Sequence, residues 1–218
     1  MTESIYEIGF AARIRIDAHS LNNEGTVGNV TEPRTIMLSS GEKTDGISGE
    51  MLKHMHSEAL WQIVNKNNLC DACKSRSPMR ADGNSANEMA SAKIKSLKEE
   101  RKKASDKKKK DECSRQINEE LKATLNKAIT CPICDSHGFL IQSPALNRKS
   151  VVEFGWALAL PANMSRTIHL HTRVAAGEKE KEEGKGAGVS EQMIYNRPTR
   201  SGIYSFISVF QPWRIGLN

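Results

Sequence analysis

The chain has few aromatic residues, 5% of 218, and no stretch approaches the run of about 18 uncharged apolar residues that a membrane-spanning helix needs. The N-terminal MTESIYEIGF has no basic start, no apolar core and no small-residue cleavage site, so it does not read as a secretory signal. A cytoplasmic protein with no membrane partner is expected. Catalytic signatures are missing as well. There is no Gly-x-Ser-x-Gly elbow and no glycine-rich loop ending in Gly-Lys-Ser, and the carboxylates do not gather around the histidines. The expectation is a protein that is not an enzyme; Asp17 with His19 is the one acid and base pair the sequence offers.

Cysteine is sparse but not scattered. Of five cysteines, four form two Cys-x-x-Cys pairs, Cys70 with Cys73 and Cys131 with Cys134, with 57 residues between the pairs. In a reducing compartment such spacing points to metal ligands or redox thiols before disulfides. Two residues between ligands let both thiolates of a pair reach one ion, and two pairs complete a tetrahedron with no vacant position for water. A structural zinc is the reading this favours, with redox thiols or unrelated free cysteines as the alternatives. His137 in CPICDSH is a substitute ligand candidate, and Cys113 reads as a bystander.

Charge is also concentrated. The formal net charge is +6, yet residues 93–110, KIKSLKEERKKASDKKKK, carry +7 alone, so the remainder sums to −1. The run reads either as a solvated linker or as an arm that contacts phosphates without regard to base. Arg197 and Arg200 flank Pro198 at what reads as the mouth of a strand, placed either to bind phosphates in a fork or to cap a turn.

Periodicity gives the elements. In YEIGFAARIRID, Ile8, Phe10, Ala12, Ile14 and Ile16 alternate with Arg13 and Arg15, which predicts a strand with one buried face. SLNNEGTVGNVTEPR is a loop by composition, followed by a short strand in RTIMLSS and a turn at GEKTDG. Ser48 is placed to cap a helix whose apolar stripe is Met51, Leu52, Met55, Ala59, Leu60, Ile63 and Val64, with Lys53, His54 and Glu58 facing away. From Leu69 to about Ser143 the chain reads as an insertion, with a helix over 113–129. Strands are predicted in SVVEFGWALALP, in TIHLHTRV, where His169 and His171 share a face, and in SGIYSFISVFQPW; AAGEKEKEEGKGAG reads as a mobile loop tip.

Several separated stretches, RIRIDAHSLNNEGTVGN, ISGEMLKHMH, CDAC with CPICDSHGF, and YNRPTRSGIYSF, together resemble the DevR-type, or Cas-seven, backbone subunits of CRISPR Cascade complexes. The resemblance runs from about Ile5 to Asn218. It implies an α+β fold: an RRM-like, ferredoxin-like palm at 1–68, 151–162 and 201–218, a zinc-clamped helical finger insertion at 69–150, and a hairpin thumb at 163–200. Family members continue with another helix and strand, so it also implies a palm lacking its C-terminal part. It implies binding of a CRISPR guide RNA by Asn22, Asn29, Lys53, His54, Arg197, Arg200 and Ser201, assembly of copies along the guide with other Cascade subunits, and target DNA reached by guide pairing. A target-RNA nuclease of the type III kind, with Asp17 as its acid, and a zinc-containing protein-interaction module are the competing readings.

Overall fold

The computed structural model describes residues 5–28, 30–174 and 192–217. In chain order they form β1 (Ile8–His19), β2 (Asn23–Val27), β3 (Val30–Pro33), β4 (Thr35–Met37) and β5 (Lys43–Ile47). Five helices follow: α1 (Gly49–Ile63), α2 (Asp71–Lys74), α3 (Ala86–Lys103), α4 (Lys107–Ile129) and α5 (Pro132–His137). The later strands are β6 (Phe139–Ile141), β7 (Leu146–Arg148), β8 (Val152–Phe154), β9 (Ala157–Ala159), β10 (Ser165–Val174) and β11 (Gln192–Phe210). The class is mixed α+β, and among the described residues no helix is long and apolar enough to cross a membrane. The run 175–188, read above as a loop tip, lies outside the described residues.

The chain divides into two compact units. One comprises Ala11–Met51 and Gly155–Ile207. Its hub is β11, which pairs antiparallel with β10 from Val174 opposite Gln192 to Ser165 opposite Ser201, and then with β9 at Tyr204 opposite Ala159. β5 adds to β9, and β4 to β5. The buried layer includes Ile47, Ala157, Ala159 and Tyr204. Gly46 belongs to it for steric reasons: a Cβ there would stand 2.8 Å from Ile36 and 3.0 Å from the Trp156 ring.

The other unit comprises Met1–Phe10, Leu52–Phe154 and Ser208–Asn218. Helices α3 and α4, joined by only Ala104, Ser105 and Asp106, form a hairpin that buries Ile94, Leu97 and Ile117 with Leu121 packed against them. Asp106 caps α4 by accepting from the Lys108 amide at 3.1 Å. At the base of the hairpin, Leu69, Ala128, Ile133, Phe139 and Ile141 make a second core, onto which Leu60 and Trp61 of α1 and the following Val64 pack. A buried Asp135–Arg148 ion pair holds α5 to β7, and Arg148 also donates to the carbonyls of Arg214 and Leu217, each at 2.7 Å.

The structure corrects several expectations. The period of β1 is right, but Ile8, Phe10 and Ile14 are exposed and only Ala12 and Ile16 of that face are half-buried, so the face is not the buried one expected. The loop assigned to 20–34 contains the hairpin β2–β3, and β5 begins within the turn assigned to GEKTDG. In α1 the cap holds, with Ser48 Oγ accepting from the Met51 amide at 3.3 Å, while Met55 and Ile63 of the predicted stripe face solvent. The lysine run is not a linker: it forms the last turns of α3 and the first turn of α4.

Gly138 ends α5 at φ +71, and a Cβ on it would lie 2.4 Å from the Arg148 carbonyl oxygen and 2.7 Å from the Ser150 amide nitrogen. Both neighbours are backbone, so neither can rotate aside. Gly138→Ala is expected to destabilise this unit by about 3 kcal/mol, the upper end for a strained backbone position. Urea unfolding followed by tryptophan fluorescence measures it; an unchanged midpoint would show that the β7 backbone yields freely.

Candidate metal centre and nucleic-acid interface

The two cysteine pairs are built alike. Cys70 precedes α2 with Cys73 inside its first turn, and Cys131 precedes α5 with Cys134 inside its first turn. In each, the residue after the second cysteine donates its amide to the carbonyl of the first: Lys74 to Cys70 and Asp135 to Cys131, both at 2.9 Å. This turns both sulfurs of a pair the same way. All four Sγ atoms lie within 4.8 Å of one another, with Cys70–Cys134 at 3.7 Å and Cys73–Cys134 at 3.6 Å. A tetrahedral thiolate site with metal–sulfur bonds of about 2.3 Å has edges of about 3.8 Å. Cys73, Cys131 and Cys134 are buried and Cys70 is half-exposed. The donor set therefore fits a thiophilic metal ion and could hold one with no open position.

Crowding makes the thiols unequal. Hydrogen bonds from Cys131, then Cys134 and Cys73, hold Cys70 well below the ordinary thiol range, and Cys131 is lowered to about 6, chiefly by Cys134. Cys134 is pushed up, with the bond to Cys131 the main cause. Around the quartet, Trp61 Nε1 donates to the Cys73 carbonyl at 3.1 Å, and Arg80 Nη1 donates to the carbonyls of His137 and Gly138 at 2.8 and 2.7 Å. Cys113 stands apart, as expected. His137 does not join the sulfurs. Its Nε2 meets His56 Nδ1 at 3.0 Å, and burial, with the charges of His56, Arg80 and Lys53, pushes its pKa down to about 3. The His56–His137 pair was missed because neither HMH nor CDSH carries a spacing that joins residues 81 apart.

Within the unit of β11, Asn22, Arg200 and Ser201 converge on one corner. The chain bends there through two left-handed residues, Ala18 (φ 52) and Asn22 (φ 57). Ser201 Oγ accepts from the Ala18 amide at 2.9 Å, Arg200 donates to the Leu21 carbonyl, and Asn22 Oδ1 accepts from Ser48 Oγ at 3.2 Å. Buried beside it are Asp45, which binds Arg166 (Nε at 2.9 Å), and His19, whose Nε2 meets Tyr204 OH at 2.7 Å. Burial, then the charge of Arg200, lowers the pKa of His19.

These contacts change the roles given to three residues. β11 runs unbroken through Pro198, so Arg197 and Arg200, three apart, point to opposite faces. Arg200 is 0% exposed with Nε and Nη1 unpartnered, while Arg197 is exposed opposite His169. The two do not form a fork at a strand mouth. Asp17 pairs with Arg15 at 3.0 Å, and both ring nitrogens of His19 are engaged, so the proposed acid and base pair does not exist here. In the other unit, Lys53 pairs with Glu153 at 3.9 Å and His54 is exposed. Asn29 lies outside the described residues.

The family described as CRISPR-associated negative auto-regulator DevR/Csa2 matches residues 10–218. No curated protein matches. Among solved structures, the chain is similar to a chain of a "CRISPR RNA-guided surveillance complex, pre-nicking", at 12% identity and a TM-score of 0.49. That alignment covers 96% of this chain and 65% of the other, so this chain spans less than two thirds of the length of that structure.

A closed four-sulfur site makes each ligand indispensable. Cys134→Ser is expected to lose about one metal equivalent per chain by elemental analysis and to expose the α3–α4 hairpin to protease, because three sulfurs cannot complete the tetrahedron. Full metal content in that variant would remove the cysteines from the ligand set.

Proposed function

The chain belongs to the DevR/Csa2 family of CRISPR-associated proteins, and from that premise we propose that it is a non-catalytic guide-RNA-binding subunit that assembles in copies along the guide, in a Cascade-like surveillance complex with other subunits. Target DNA is reached by pairing with the guide. The observation that carries this reading is the family match across residues 10–218. In its domain map, 1–68, 151–162 and 201–218 are an RRM-like palm, 69–150 are fingers closed by a structural zinc on Cys70, Cys73, Cys131 and Cys134, and 163–200 are the thumb. The location is cytoplasmic.

Three features of the structure support it. The β1 residues Ile8, Phe10 and Ile14 are exposed, which suits a face covered by a neighbouring copy. All ten Lys and Arg of 93–110 are exposed, and seven of them, Arg101, Lys102, Lys103 and Lys107–Lys110, stand at the far end of the α3–α4 hairpin, where phosphates can reach them. Arg197 is exposed on the same face of the β10–β11 ladder as His169 and Thr199. Arg200 and Ser201 act in this scheme by holding the Ala18–Asn22 corner, and Asn22, Asn29, Lys53 and His54 complete the RNA-facing set.

Protein purified from its host is expected to carry RNA of uniform length; RNA-free, monodisperse protein would favour an interaction module, and cleavage at regular intervals a nuclease. Arg197→Ala should weaken unrelated guides alike by roughly tenfold, about 1.5 kcal/mol for one charged contact, without lowering the melting temperature. Arg200→Ala should lower the melting temperature, since it removes a fully buried partner. Changing four lysines within 98–110 to glutamine should reduce the salt slope of RNA binding by up to about 2.8, at roughly 0.7 per contact. An unchanged slope would leave the run without a phosphate partner.

A further inference from the structure

The stretch after the first cysteine pair, KSRSPMR, walls a cavity of about 290 Å³ of which the reading above uses only His54. Its other wall is α1, so that His54, Ser57 and Trp61 face Arg76, Ser77 and Arg80, with Glu58 at the side and Cys73 beneath. Arg76 and Arg80 both have positive φ, 58 and 50, which is uncommon for residues with a Cβ and shows that the loop fixes where each side chain starts.

Each guanidinium is then held in place. The Arg76 group lies 4.0 Å from the centre of the Trp61 ring, and Trp61 is itself anchored through Nε1 to the Cys73 carbonyl. Arg80 spends Nη1 on the carbonyls of His137 and Gly138 and makes no other hydrogen bond among the described residues, which leaves its remaining nitrogens for a ligand. One carboxylate, Glu58, faces Arg76 at a loose 3.4 Å, with both side chains partly exposed. Two guanidiniums, an imidazole and two hydroxyls against one carboxylate favour an anion with several oxygens. The volume suits a single phosphoryl group and the sugar attached to it, and is too small for a helix or strand.

We propose that this pocket binds one backbone phosphate of single-stranded RNA, with Arg76 and Arg80 as its donors and Glu58 as the carboxylate that the phosphate displaces. It rests on the RNA-binding reading and adds to it a contact that depends on the first cysteine pair, since Trp61 and the loop are both fixed by Cys73.

The test uses the full chain and two unrelated single-stranded RNAs, titrated across a range of salt concentrations. Arg76→Gln should weaken both by several-fold and lower the salt slope by about 0.7, the value for one phosphate on a single strand. Glu58→Gln should strengthen both, an opposite sign that a merely structural role for the loop would not give. Unchanged metal content in both variants confirms that the pocket still forms. If wild-type protein binds RNA and Arg197→Ala weakens it, but neither pocket variant moves the affinity, this proposal alone is overturned. If wild-type protein binds no RNA, the functional reading fails and this inference with it. A third arm titrates inorganic phosphate and a nucleoside monophosphate: Arg76-dependent binding of these, with RNA affinity unaffected by Arg76→Gln, would assign the pocket to a small phosphorylated ligand and overturn the RNA assignment.

Discussion

The convergence of four sulfurs is the constraint on which the unit of Leu52–Phe154 depends. The α3–α4 hairpin has only a thin core of its own, Ile94, Leu97 and Ile117, and its two ends leave the fold at Cys73 and return at Cys131. Bringing those ends together fixes a long loop at one point, and the entropy of closure rises only slowly with the length enclosed. A single tetrahedral site can therefore define the base of a large excursion. The same site organises what surrounds it. Trp61 reaches the Cys73 carbonyl, Arg80 reaches the end of α5, and the Asp135–Arg148 pair ties α5 to the segment after β11. Each of these contacts needs the two knuckles to be where the sulfurs put them.

Local signals were legible and nonlocal ones were not. Cys-x-x-Cys fixes a pair geometry within one turn of helix, so the clustering of the four cysteines could be read without knowing the fold. Ser48 as a cap and the helix over 113–129 are likewise decided within a few residues. The strands β2, β3 and β5 were missed because NEGTV, VTEP and KTDGI contain glycine, proline and charge; they are strands because partners are present, with β5 held between β4 and β9. The exposed face of β1 was misassigned for a related reason. Alternation says that one face is apolar, and nothing in the period says which molecule covers it.

The two arginines show how one element boundary changes a chemical reading. Starting the last strand at Ser201 leaves Arg197 and Arg200 together on a flexible approach. Starting it at Gln192 subjects both to the two-residue period, and an odd separation sends one to solvent and the other inward. Arg200 then becomes part of a buried set with Asp45, His19 and Tyr204, which the more exposed Arg166 joins through Asp45. Burial of a guanidinium is tolerable only with acceptors and a countercharge nearby, and the Leu21 carbonyl and Asp45 meet part of that need. The corner carrying Asn22 is thus fixed by a residue that the family resemblance assigned to the guide RNA.

Charge placement in the α3–α4 hairpin runs against the stability of the hairpin itself. Arg101, Lys102 and Lys103 end α3, where the helix dipole favours cations, but Lys107, Lys108, Lys109 and Lys110 open α4, where it disfavours them. Asp106 answers this only in part, as a single cap. The loop of three residues brings both clusters to one tip, so repulsion acts across the turn as well as along each helix. Nothing apolar in that region requires lysine; solvent exposure would be met as well by residues of mixed sign, as on the lower part of α4, where Glu112 and Glu119 flank Arg115. A tip that repels itself gains stability from any polyanion laid across it, since each phosphate relieves repulsion in both helices at once. Binding and folding of the hairpin are therefore coupled in the same direction, and high salt, by screening both the repulsion and the attraction, weakens the grip while relaxing the tip.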